Sequence, residues 1–445
     1  MHDVKAMSDT EKRQLLARLL AQSESHAIRP EVPMESVSRN QSIHFEEFPG
    51  YRELQEHARI FQTLGVDNPY FCVHEGVSDH VTRFANRRYI NYSGYNYLGL
   101  SGHPEVSAAA KQAIDEYGTS VSASRIVSGE IPLHGELEAV LARIHDTEAA
   151  LALVSGYATN VSVISHLFGP EDLVIHDALI HNSVIAGCKL SGARRMTFPH
   201  NDWQALDRIL AENRRQHART LIIIEGVYSM DGDIADLPRF IEIKKRHDCL
   251  LMVDEAHAAG VIGPRGLGSH DHFGISGSAV DIWMGTLSKA FASCGGYICG
   301  SRALIDNLKY NAAGSILFSV GISPANTAAA LAAARILLRE PERAARLRAN
   351  SRLFLDEAKR YGLDTGDAAG TGVIPIITGN SVACLKLGQH LANAGIYVHP
   401  ILYPAVSESA ARLRFFIICN LTEEEVVTTV KTLAAGMQHL QVTAG

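Results

Sequence analysis

From about residue 90 onward the chain alternates short apolar runs with helical stretches. The apolar runs are Ala149–Val154, Leu173–His176, Thr220–Glu225, Leu250–Asp254, Asp281–Gly285 and Gly296–Cys299, and between them lie Glu105–Tyr117, Leu133–Ile144 and Leu237–Arg246. Short strands that are apolar throughout, each followed by a helix, predict an α/β fold with a mostly parallel sheet buried on both faces. In such sheets the loops at the carboxyl ends of the strands build the active site. The residues with most chemical potential all fall at those ends: Ser155-Gly156, Asp177 to His181, Glu225, Asp254 to His257, and Lys289.

Flanking regions read differently. Ser8–Gln22 has the pattern of an amphipathic helix, with Ser8 as N-cap, Glu11 completing a capping box, and leucines 15, 16, 19 and 20 in one stripe. Residues 23–45 read as a polar linker, so 1–45 forms a helix-and-linker unit, either a docking element or an arm that packs on the body. An N-terminal segment, 46–95, precedes a large domain at 96–335. Beyond it, Asn326–Tyr361 reads as one or two long helices, and 336–445 as a smaller α+β domain with strands at Val373–Ile377 and Leu413–Ile418 and a helix at Glu423–His439.

At 445 residues, 46% hydrophobic and 20% charged, the composition is globular. A net charge of −7 argues against nucleic acid or an anionic membrane as principal partner. Seven cysteines without CxxC pairing fit a reducing cytosol, no segment has transmembrane length, and a cytoplasmic location is expected. The histidines at 176, 181, 270 and 272 lack a second cluster at zinc spacing, so no metal is expected.

The chemistry concentrates in two strand exits. Ile282-Trp283-Met284 leads into Gly285-Thr286-Leu287-Ser288-Lys289, which delivers a lone lysine beside an apolar run, with Gly295-Gly296 six residues on. A partly buried amine of lowered pKa can form a Schiff base with an aldehyde cofactor. Val253-Asp254-Glu255-Ala256-His257 closes another strand with an acid able to keep a pyridinium nitrogen protonated and a histidine able to bond a phenolic oxygen. Ser155-Gly156-Tyr157 opens a helix after a strand, where free N–H groups suit phosphate, and Thr286 and Ser288 add hydroxyls. His181 has two readings, a ring stacked on a flat cofactor or a core histidine.

In order along the chain stand Asn96-Tyr97-Leu98-Gly99-Leu100, Ser128-Gly129, His134-Gly135-Glu136-Leu137-Glu138, Ser155-Gly156-Tyr157, His181-Asn182-Ser183, Glu225 to Asp233, Asp254-Glu255-Ala256-His257, Gly285 to Lys289, Gly295-Gly296 and Arg412-Leu413-Arg414. Together these motifs resemble the α-oxoamine synthases, fold-type I pyridoxal-phosphate enzymes, over about residues 90 to 440. The resemblance implies a seven-stranded large-domain sheet and pyridoxal 5'-phosphate as cofactor. It implies Lys289 as the Schiff-base lysine and Cα base, Asp254 on the ring nitrogen, His257 and Ser229 near the ring oxygen, and His181 stacked on the ring. The amides of Gly156 and Tyr157, with Ser155, Thr286 and Ser288, would hold phosphate. Ser319, beside Phe318, would reach it from the second subunit of a homodimer with shared sites. Arg414 and Asn96 would bind the amino-acid carboxylate.

The implied reaction condenses an α-amino acid with an acyl thioester, of coenzyme A or of an acyl carrier protein, with loss of CO2, to give an α-amino ketone. The helix-and-linker at 1–45 suggests a polyketide-type setting and hence the carrier protein. The alternatives are an aminotransferase or a non-catalytic subunit of a heterodimeric synthase. Three departures bear on substrate entry and acyl recognition: Ser120 stands for a usual glycine, Leu421 for a usual histidine, and Pro404 to Ala411 lacks the usual proline-glycine turn.

Overall fold

A computed structural model describes residues 43–442 of the protein. The expected helix at 8–22 and the linker up to residue 42 lie outside the described residues. A helix at Pro49–Leu64 opens the described chain, followed by strands β1 (Val81–Phe84) and β2 (Arg87–Asn91). The large domain then supplies β3 (Ala149–Leu153), β4 (Leu173–Asp177), β5 (Arg194–Phe198), β6 (Thr220–Glu225), β7 (Leu250–Asp254), β8 (Ile282–Thr286) and β9 (Gly296–Gly300). These seven strands form one sheet in the order β3-β9-β8-β7-β6-β4-β5. Only β9 runs against its neighbours, so the sheet is mostly parallel as expected.

Alternation along each strand feeds two separate cores. Ile175, Ile222, Ile224, Leu251, Val253 and Trp283 join one hydrophobic cluster, while Val174, Leu221, Ile223, Met252, Ile282 and Met284 join another. A strand buried on both faces cannot show a polar alternation, which explains the continuous apolar runs. β5 is the exception. It sits at the sheet edge, its sequence Arg-Arg-Met-Thr-Phe is mostly exposed, and its charged side chains hide it from a search for apolar runs.

The stretch 326–361 resolves into two helices, Pro324–Arg339 and Glu342–Arg360, separated at Pro341, which cannot continue the first. The C-terminal unit adds β10 (Val373–Ile377), a helix at Ser381–Asn393, β11 (Ile396–Tyr397), β12 (His399–Ile401), β13 (Arg412–Phe416) and a helix at Glu423–Val442. Here β10-β13-β12 make an antiparallel sheet, and β2 pairs in parallel with β11. The N-terminal segment therefore joins the C-terminal unit through a shared sheet, a long-range pairing that sequence order conceals.

Candidate active site

The parallel strands deliver their last residues to one edge. In register, Glu225 of β6 lies beside Asp254 of β7, and Asp254 beside Met284 of β8. Asp254 is 4% exposed. Its Oδ2 accepts a hydrogen bond from Asn160 Nδ2 at 2.9 Å and its Oδ1 one from the Ala256 amide at 3.0 Å. Asn160 lies one turn into the helix Gly156–Leu167 and also donates to Ser183 Oγ at 2.9 Å, whose hydroxyl lies 2.7 Å from His181 Nδ1. A buried relay thus links the acid to His181. Asn160 follows the Ser155-Gly156-Tyr157 turn by three residues, and its role appears only once the helix faces β7.

His257 lies between two partners. Its Nδ1 is 2.7 Å from the Tyr97 hydroxyl and its Nε2 is 2.9 Å from Lys289 Nζ. The ring lies nearly parallel to Phe416, at 13° with centroids 6.2 Å apart. Burial pushes its pKa well down, and the nearby Lys289 and Arg414 add to this, so the imidazole is neutral. When Lys289 is an ammonium, Nε2 accepts and the Nδ1 proton goes to Tyr97. Lys289 Nζ sits 5.7 Å from the centroid of the Tyr95 ring. Burial lowers its pKa to about 8 against the opposing pull of Asp254 and Glu225.

Glu225 is 3% exposed; its Oε2 accepts from the Ser229 amide at 3.2 Å, and its Oε1 is buried without a partner. Burial and then the charge of Asp254 push its pKa up to about 8, so it is protonated at neutral pH. Arg414, on β13, donates Nη1 to the Ser229 carbonyl at 3.0 Å and to Met230 Sδ at 3.2 Å, with its guanidinium carbon 4.8 Å from the Phe416 ring centroid. Its Nε is buried and unpartnered, and no carboxylate pairs with it among the described residues. With Glu225 neutral, Lys289 and Arg414 outnumber Asp254 by one positive charge. Such a site favours an anion.

At the opposite rim, Ser155 caps the helix Gly156–Leu167 by accepting from the Ala158 amide. That leaves the first-turn amides of Gly156 and Tyr157 facing outward, as helix geometry requires. The approach is close. A Cβ on Gly156 would come within 2.9 Å of Thr286 Oγ1, and one on Gly296 within 2.7 Å of Gly156 Cα. Thr286 Oγ1 is 2.8 Å from Ser288 Oγ. Tyr157 is half exposed and meets His181 edge-on, with centroids 6.3 Å apart. His181 is exposed and caps the helix Asn182–Ser191. Although its edge is open, the partial burial of its ring lowers its pKa, with Asp254 opposing and Lys289 adding to the shift.

Two expected residues lie apart from this cluster within the one chain, Ser319 being expected to serve the second subunit's site. The side-chain oxygen of Asn96 accepts from the amides of Leu100 and Ser101 at 2.8 and 3.0 Å, and its Nδ2 donates to the Ser78 carbonyl at 3.1 Å. Asn96 therefore holds a turn together and has no amide free for a carboxylate. Ser319 lies on an exposed segment, where its hydroxyl bonds only the Val320 carbonyl among the described residues, and Phe318 beside it is 87% exposed. Ser229 contributes its amide and carbonyl to the site. Of the three departures, Leu421 is buried, its carbonyl bound by Asn350 Nδ2 at 2.8 Å, while Ser120 is exposed.

These residues fit a pyridoxal-phosphate group. Gly156 and Gly296 let the helix N-terminus lie close against β8 and β9, a buried acid lies near a lysine of lowered pKa, and two buried polar atoms, Glu225 Oε1 and Arg414 Nε, lack partners among the described residues.

The profile of the family described as aminotransferase class I and II matches residues 87–433. The chain belongs to this family. A relative from Treponema denticola, an 8-amino-7-oxononanoate synthase, is 39% identical over 357 residues, covering 80% of this chain and 90% of the relative. The 8-amino-7-oxononanoate synthase of Geobacter sulfurreducens is 41% identical over 342 residues, covering 76% and 86%. Among solved structures, serine palmitoyltransferase from Sphingomonas wittichii superposes with a TM-score of 0.83 at 30% identity, covering 88% of this chain and 98% of that one. This protein is a pyridoxal-phosphate-dependent α-oxoamine synthase, an acyltransferase that joins an α-amino acid to an acyl thioester. For the synthase, the fold-type I architecture and the cofactor agree with the sequence reading.

Proposed function

We propose that the edge of β6, β7 and β8 carries out a decarboxylative condensation, with Lys289 as attachment point and base. The observation that carries this is the 2.9 Å contact between Lys289 and a neutral His257, next to Asp254 and an Arg414 without a carboxylate partner. Pyridoxal phosphate, when bound, supplies an electrophilic carbonyl and a ring that withdraws electrons from the amino-acid Cα. Asp254, oriented by Asn160, would hold a proton on the ring nitrogen. His257 and Ser229 would hold the ring oxygen, His181 would cover the ring face, and the amides of Gly156 and Tyr157, with Ser155, Thr286 and Ser288, would hold the phosphate. Arg414 binds the substrate carboxylate, a planar anion that matches its fork. Lys289, neutral above about pH 8, removes the proton at Cα and returns one later.

The acyl donor in this reading is a thioester of coenzyme A or of an acyl carrier protein, the latter favoured by the amphipathic pattern at 8–22 and a polyketide-type setting. The synthase acts as a homodimer with shared sites, Ser319 reaching the partner's phosphate site. Supporting this, Val127 is exposed on the segment 125–129, which packs against 313–317, and Phe318 and Val320 are exposed apolar side chains just beyond the latter. A cytoplasmic location is part of this reading, on the seven cysteines without CxxC pairing; among the described residues no helix is long and apolar enough to cross a membrane.

The test is a visible absorbance scan of protein reconstituted with pyridoxal phosphate and titrated with each proteinogenic amino acid, then with acyl thioesters. A band that one amino acid shifts, followed by CO2 release on adding thioester, is expected. Amino-group transfer to a keto acid without any thioester requirement would replace this reading with an aminotransferase.

A further inference from the structure

Behind the site lies a charged cluster to which the chemistry above assigns no task. Asp177 closes β4 and is fully buried, His200 follows β5, and Asp233 ends the loop that leaves β6. His200 spans both carboxylates, with Nδ1 2.9 Å from Asp177 Oδ1 and Nε2 3.0 Å from Asp233 Oδ2. The Asn201 amide donates to Asp177 Oδ2 at 2.8 Å, and its side chain donates to Asp233. The Tyr228 ring meets His200 edge-on, with centroids 4.4 Å apart. With an acid on each nitrogen, His200 donates from both as an imidazolium. Burial works against the charge, but the two carboxylates prevail and raise its pKa to about 10.

The loop held this way is closed on itself. The Tyr228 amide donates to the Asp233 carbonyl at 3.1 Å, the Gly232 amide donates to the Tyr228 carbonyl at 2.9 Å, and Val227 bridges Ile234. Its other side receives β13, where Arg414 takes the Ser229 carbonyl and Met230 Sδ, and Arg412 takes the Met230 carbonyl at 3.1 Å and the Asp231 carboxylate. Because no carboxylate anchors Arg414 among the described residues, this loop sets the position of its guanidinium.

We propose that His200 is a positioning residue for Arg414: by tying Asp233 to Asp177 it fixes the loop that presents Ser229 and Met230 to the guanidinium, and so sets affinity for the amino-acid carboxylate. This rests on the reading of Arg414 given above. Removing the imidazolium leaves two buried carboxylates facing each other without compensation, which pushes the loop away from its register.

The experiment uses holoenzyme and reads the amino-acid dissociation constant from the cofactor absorbance without thioester. All proteinogenic amino acids are screened, and the tightest binder of the wild type becomes the probe. His200→Gln is expected to weaken binding about tenfold, the scale of one charge-assisted hydrogen bond, with the cofactor band retained and the thioester KM within about twofold. Arg414→Lys should weaken binding by itself, and the double variant should be no worse than Arg414→Lys alone, since both act through one contact. Asp233→Asn, which removes one charge of the cluster and keeps its shape, should show the same non-additivity and serves if His200→Gln does not fold. Additive penalties, or unchanged binding in His200→Gln while Arg414→Lys weakens it, would overturn the inference and leave the role of Arg414 standing. Unchanged binding in Arg414→Lys would overturn both.

Discussion

His257 and His200 both stand just past the carboxyl edge of the central sheet, yet their surroundings drive them in opposite directions. His257 faces the cations of Lys289 and Arg414 and stays neutral, its pKa well below the ordinary value. His200 faces Asp177 and Asp233 and stays charged, its pKa near 10. Both regions are packed and partly buried, so burial alone does not tell them apart. The sign of the neighbouring charges does. Around His257 the protein leaves an unmatched positive charge and two unpartnered polar atoms, which a ligand must complete. Around His200 the protein supplies its own counterions, and the result is a support.

The contrast breaks most sharply at Lys289. Lys289→Ala is expected to lower kcat by about 10²–10⁴-fold, the range typical of a positioned proton-transfer group, and to abolish the Schiff-base absorbance; a visible band with normal turnover would remove the lysine from its role. Next comes the pH profile. A base must be neutral, and the amine has a pKa lowered to about 8, so kcat should rise up to tenfold per pH unit below that value and level off above it. A flat profile from pH 6 to 9 would assign the base elsewhere.

His200 should show its effect in stability. Its pKa is raised from 6.5 to about 10. The stability it contributes is therefore complete below about pH 6.5 and is lost as pH rises through about 10. The melting-temperature gap between wild type and His200→Gln should be widest near pH 6 and should close by about pH 10; a gap that widens with pH would mean the histidine is neutral in the fold. The smallest effect on activity is expected at a third buried histidine, His145, whose Nε2 meets the Tyr297 hydroxyl at 2.9 Å. Burial lowers its pKa to about 3, and no charged group of the site touches it. Tyr297→Phe should cost about 1–3 kcal/mol of stability by leaving that nitrogen unsatisfied, read by denaturant unfolding, with kcat unchanged.

Much of this arrangement was legible beforehand, for identifiable reasons. The buried strands announced themselves because their apolar runs serve two cores, and Thr220–Glu225, Leu250–Asp254 and the helix Leu237–Arg246 have the expected bounds. Edge strand β5 did not, since its exposed arginines satisfy no core. Lys289, Asp254 and His257 were singled out through residue type and position at strand exits, and Arg414, within β13, only through the family resemblance. Asn160, Tyr97 and His200 were not assigned roles, because an asparagine, a tyrosine and a histidine of ordinary local pattern gain meaning only from partners 94, 160 and 33 positions away. For Asn96 the motif did not show that its side-chain oxygen serves the local turn while its Nδ2 donates to the Ser78 carbonyl.

The sequence by itself determined which residues end buried strands, because periodicity is a local property of the chain, and its ordered motifs, through their resemblance to the α-oxoamine synthases, gave the family and the cofactor. Tertiary structure alone decided the protonation states. Whether Glu225 is neutral, His257 uncharged and His200 a cation follows from which charges are brought within a few ångströms through a medium that screens poorly. It likewise decided that β2 joins β11, placing the N-terminal segment on the C-terminal unit, since that pairing closes a loop of roughly three hundred residues that no local pattern records.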